Sequence, residues 1–115
     1  MAQTKPKAGF VGNTYGHEWK EGAFAGAAYD MAYLSDNTVR WTATAGQPKG
    51  NSAVEKYQHA MLSSSLHQFS WKEASTGYFV VLTYDLKSQE VHGLINVGEQ
   101  TYVLKGPFSR KGPAK

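Results

Sequence analysis

The sequence predicts an all-β protein, a single antiparallel up-and-down barrel of about eight strands enclosing a pocket, and three observations point there. Apolar and polar residues alternate with period two over several successive stretches, the signature of strands with one buried face. The stretches are separated by short runs of Asp, Asn, Gly and Ser, which suit hairpin connections. The third is composition: 7 Tyr, 5 Phe and 3 Trp in a chain that is 41% hydrophobic supply enough apolar surface to fold, and 115 residues are enough for one domain only.

Taken in order, Met1–Lys7 is a basic tail, the domain spans 8–108, and 109–115 is expected to be a second basic tail. Gly9 to Gly16 is too rich in glycine for a helix and reads as a short barrel-closing strand. Glu18 to Gly26 is ambiguous, with a loop over one barrel end as one reading. In the next stretch Tyr29, Met31 and Tyr33 share a face, Ser35-Asp36-Asn37 turns the chain, and Thr38 to Thr44 returns as a β-branched strand. Gly46 to Ser52 is a loop. Ala53 to Met61 shows nearly helical spacing at Val54, Tyr57 and Met61, but also a period-two row of Glu55, Tyr57, His59 and Met61; a single strand is the preferred reading. Three strong strands follow at Leu66–Glu73, Tyr78–Asp85 and Glu90–Asn96, then a last one at Thr101–Lys105, ending at Gly106-Pro107. Such a meander removes its edges by closing on itself; an open curved sheet that forms a homodimer to cover its face is the alternative.

Charge and motifs narrow the function. The formal charge is +3, yet six of the twelve basic residues lie in the two ends, and Ala8 to Leu104 holds six against all nine acids, a balance of −3. No specific nucleic-acid partner is expected from that distribution, only weak contact through the tails. There is no signal-like segment and no run of eighteen apolar residues, so no membrane partner is expected, and the absence of cysteine suits a cytoplasmic, reducing setting. His17, His59, His67 and His92 show no metal-ligand spacing, and no phosphate-binding or dinucleotide glycine motif occurs; neither a metal nor another cofactor is expected.

The residues that could carry chemistry sit in the strand rows. His67, Phe69, Trp71 and Glu73 share one face, placing a carboxylate beside two large rings. Facing inward, Glu73 would be desolvated and suited to proton transfer; at the rim, it would merely cap the strand beside the turn. Tyr29, Met31, Tyr33 and Trp41 supply further lining for a planar or apolar small molecule, and His59, in a row with Tyr57, is a candidate proton shuttle.

Phe69-Ser70-Trp71-Lys72-Glu73, Gly77, Val80-Val81-Leu82 and Val91-His92-Gly93-Leu94-Ile95, with Asp36-Asn37-Thr38-Val39 upstream, resemble the phenolic acid decarboxylases and the related MoaF-like domains. The resemblance runs from about Tyr29 to Phe108 and implies a calycin-type, lipocalin-like barrel. It also implies cofactor-free decarboxylation of hydroxycinnamic acids, with the family's proton-transfer glutamate falling on Glu73 and a pocket tyrosine on Tyr29. The decarboxylase Gly-Arg-Trp has no arginine to match near Pro48-Lys49-Gly50-Asn51, no Tyr-x-Tyr pair has a clear counterpart before Tyr29, and the chain stops where decarboxylases continue, which favours the MoaF-like side. Two functions follow as expectations. One is a cofactor-independent lyase or isomerase using Glu73, Tyr29 and His59 as catalytic groups. The other is a non-catalytic carrier whose apolar or aromatic ligand meets Trp71, Trp41, Tyr33, Phe69, Met31 and Tyr57.

Overall fold

The computed structural model describes residues 9–74 and 76–114, so the N-terminal tail, Ser75 and Lys115 lie outside the described residues. The described residues form nine strands in one antiparallel sheet: β1 (Asn13–Glu18), β2 (Ala28–Tyr33), β3 (Thr38–Ala45), β4 (Ser52–Lys56), β5 (Gln58–Ser63), β6 (Leu66–Lys72), β7 (Phe79–Asp85), β8 (Glu90–Val97) and β9 (Gln100–Pro113). Their order is β4-β3-β2-β1-β9-β8-β7-β6-β5, so the sheet curls until its two edges are consecutive in the chain, and no helix occurs among the described residues. Among those residues no helix is therefore long and apolar enough to cross a membrane.

The expected hairpins form where the turn chemistry lies. Met31 pairs with Trp41 across β2 and β3, and Leu34 N–H donates to the Thr38 carbonyl at 2.9 Å to close the Asp36-Asn37 turn. Between β7 and β8 the Asp85 carboxylate accepts from the Lys87 and Ser88 amides, and Gln89 takes a positive φ of 61°. The first strand starts later than expected, at Asn13, because Gly9–Gly12 is a turn that drives Phe10 into the barrel.

Two expectations are corrected. Ala53–Met61 is not one strand: its period-two row is real, with Glu55 and Tyr57 buried, but the ladder breaks at Tyr57. β4 pairs with β3 and β5 with β6, while Tyr57 donates its N–H to Asn37 and its hydroxyl to the Ser35 carbonyl at 2.6 Å. The extended chain thus steps from one sheet edge to the other, and this raises the strand count to nine. The last strand also runs on through Gly106-Pro107 to Pro113, so residues 109–113 belong to the sheet. It changes partner along its length, pairing with β8 up to Pro107 and with β1 from Phe108. At Gly106 a Cβ would strike the Glu18 carbonyl, so only glycine lets the two backbones approach there.

The inward rows pack differently along the barrel. At one end Phe10, Tyr33, Phe69 and Tyr84 are almost wholly buried and touch ring to ring, with Tyr33 and Phe69 centroids 4.7 Å apart and the Tyr33 and Tyr84 hydroxyls sharing a 2.6 Å hydrogen bond. This end is a closed aromatic core. Toward the other end the inward side chains leave a hollow.

Candidate functional site

That hollow is a cavity of about 430 Å³ whose wall is drawn from most of the sheet. From β1 and the chain just after it come His17 and Trp19; from β2 and β3 come Tyr29, Met31 and Trp41; from β6 and its turn come Trp71, Glu73 and Thr76. Alternation explains the set. Cross-strand partners His17 and Tyr29, and the next pair Met31 and Trp41, all point the same way off their strands. Trp19 is held in place because Gly93 on β8 has no side chain: a Cβ there would lie 2.6 Å from the indole. Phe24, on the segment between β1 and β2, completes the wall and packs on Tyr102 at 5.2 Å, so the ambiguous stretch does help to cover this end.

Glu73 sits where β6 runs into its turn. The Glu73 N–H donates to the Tyr78 carbonyl and the Glu73 carbonyl accepts from Gly77, both at 2.7 Å, which pins the backbone. One carboxylate oxygen accepts from the Thr76 hydroxyl at 2.9 Å and the other from the Trp71 indole N–H at 3.3 Å. Burial raises the Glu73 pKa above the ordinary carboxylate value; those two hydrogen bonds pull it back, and the nearby Glu55 carboxylate pushes it up. Tyr29 is also raised, by burial first and then by the negative charge of Glu73, so its hydroxyl stays protonated.

Glu55 is a separate matter. It is buried, accepting from the Trp41 indole at 3.0 Å and from the Ala74 amide at 3.4 Å, and so ties β4 to the turn after β6 where β4 and β5 do not pair. Its part in the inward row was legible; its role as a strap was not, since it depends on the break at Tyr57.

Of the residues expected at the site, the structure brings Glu73, Tyr29, Trp71, Trp41 and Met31 together around the cavity. Tyr33, Phe69 and Tyr57 do not line it; they share the inward face but lie in the packed end. His59 is also elsewhere, with its Nε2 3.0 Å from Nδ1 of His67 and its ring against Phe69. Period two tells which face a residue occupies but not how far along the barrel it lies. His17, Trp19 and Phe24 are among the additions, with Tyr78 and Thr76 beside Glu73. A row of Tyr15, His17 and Trp19 was visible in the sequence, and the glycines around it obscured its strand character. Among the described residues no cluster of three or more His, Asp or Glu could hold a metal.

A curled antiparallel barrel, plugged by rings at one end and hollow at the other, is a fold of calycin type. Within that class the chain belongs to the MoaF-like family, whose family model matches residues 15–109. No curated protein matches it. Among solved structures it is similar to a candidate β-lactamase from Burkholderia vietnamiensis, 19% identical, with a TM-score of 0.78 over 89% of this chain and 95% of that one. At that identity the likeness concerns the fold.

Proposed function

We propose that the protein binds an apolar or aromatic small molecule in this cavity and performs acid–base chemistry on it at Glu73, as a cofactor-free lyase or isomerase working in the cytoplasm. The observation that carries the reading is a half-buried carboxyl with a raised pKa in a wall made mostly of aromatic and aliphatic side chains. Burial raises the pKa of such a group and suits it to proton transfer, and the protonated Tyr29 hydroxyl can donate to the substrate. A second reading, that of a carrier without turnover, is favoured by one feature: both Glu73 oxygens already accept hydrogen bonds, as those of a purely structural carboxylate would.

Deuterium exchange separates the two. Incubated in heavy water with 2-acetylnaphthalene, an enolisable aryl ketone, the protein should exchange the methyl protons: the Glu73 carboxylate takes a proton from carbon, the enolate forms, and a deuteron returns. Glu73→Gln should slow this by about a hundredfold or more while ketone binding changes little. Saturable binding with no exchange above a protein-free blank would leave the carrier, and no saturable quenching of tryptophan fluorescence would end both readings.

A further inference from the structure

His17 is the one imidazole of the cavity wall among the described residues, and the reading above leaves it unused. It is 6% exposed, and its ring lies 4.5 Å from that of Trp19 and stacks on Tyr29 at 5.6 Å, centroid to centroid. Its Nδ1 is fully buried and has no hydrogen-bond partner among the described residues. Burial lowers its pKa from 6.5 to about 3, so the ring is neutral at any physiological pH.

A neutral imidazole carries one N–H and one bare lone pair, and the buried orphan position decides which goes where. An unpaired buried N–H is the rarer and costlier arrangement, so the lone pair belongs on Nδ1 and the proton on Nε2. The ring then offers its N–H from the other edge of a group that lines the cavity.

We propose that His17 is a ligand-positioning residue, donating from Nε2–H to a neutral acceptor such as a carbonyl or ether oxygen on the bound molecule. The inference rests on the pocket reading and sharpens its ligand class. The ligand is an aromatic or apolar body with an uncharged oxygen toward β1, because a neutral imidazole among rings supplies no countercharge for a carboxylate.

The test compares two ligands of the same shape, 2-acetylnaphthalene and 2-isopropenylnaphthalene, which differ in C=O against C=CH₂. Binding is read by tryptophan fluorescence in the wild type and in His17→Phe. The variant should bind the ketone about tenfold more weakly, the worth of one neutral hydrogen bond, and the hydrocarbon within about twofold of wild type. An equal loss for both ligands, or none for the ketone, overturns the inference while leaving the pocket intact. A wild type that binds neither ligand defeats the pocket reading and takes this one with it. Should His17→Phe fail to fold, the wild type decides alone. Long-range proton–nitrogen spectra between pH 5 and 8 should show His17 with its proton on Nε2 and an Nε2 resonance that moves with the ketone but not with the hydrocarbon. A proton on Nδ1, or equal movement with both ligands, rejects the assignment.

Discussion

The two ends of this barrel are made by the same strands with the same alternation, and they differ in what fills them. At the closed end Phe10 enters from the turn before β1 and meets Tyr33, Phe69 and Tyr84, each ring within 5.6 Å of it by centroid. At the hollow end Tyr29 and Trp41 meet edge to face at 6.0 Å on the wall of the cavity, and the polar groups Glu73 and His17 share that wall. One turn residue that becomes a plug thus separates a region built for stability from one with room for a ligand. The strand pattern alone does not distinguish them.

The sharpest way to break the comparison is to truncate one ring at each end. Phe69→Ala, in the packed end, should cost about 3–5 kcal/mol, because it leaves a void lined by rings that cannot collapse. Trp71→Ala removes a larger side chain, yet one face of it already borders the cavity and has fewer atoms to lose contact with. It should cost about 1–2 kcal/mol less than Phe69→Ala and weaken binding of 2-acetylnaphthalene instead. Urea unfolding of both variants checks the pair; equal costs would mean that the hollow end is as tightly packed as the plug.

The same contrast shows what the sequence could tell. The β2–β3 hairpin, the three strands from Leu66 to Asn96 and the aromatic face of Glu73 were all legible, because turn residues and period-two alternation are local signals. Depth along the barrel was not, and so Tyr33, Phe69 and Tyr57 were grouped with cavity residues. The break at Tyr57 and the run of β9 to Pro113 were hidden for a related reason. Each depends on which strand lies alongside: β3 and β6 compete for one extended segment, and β1 takes over β9 where β8 ends.

A smaller effect comes from acid. His17 in the unfolded chain takes a proton below pH 6.5, whereas the folded ring refuses it until about pH 3. Over that window the unfolded state binds more protons, so stability falls as pH falls, by about 1.4 kcal/mol per pH unit for this one group. The contribution is fully present above pH 6.5. Urea midpoints measured from pH 7 to pH 4 should fall more steeply for wild type than for His17→Phe, with the difference in slope equal to one proton. Parallel slopes would mean that the hollow end admits water to the ring and is not the dry site its burial implies.

The smallest expected effect is the most informative about the pocket's chemistry. Because burial raises the Glu73 pKa, the folded protein holds that proton more firmly than the unfolded chain does. The group therefore contributes stability below the unfolded pKa, and the contribution is lost as pH rises through the folded value. Glu73→Gln removes the charge and keeps an oxygen to accept from Trp71 or Thr76. It should be more stable than wild type at pH 8, by about 0.5 kcal/mol given how much solvent the side chain still sees, and the advantage should vanish near pH 4. Melting curves at the two pH values suffice. If Glu73→Gln is instead the less stable protein at pH 8, the bonds from Trp71 and Thr76 outweigh desolvation. The carboxylate is then an anchored structural acceptor, and the hollow end is a carrier's pocket and not a catalyst's.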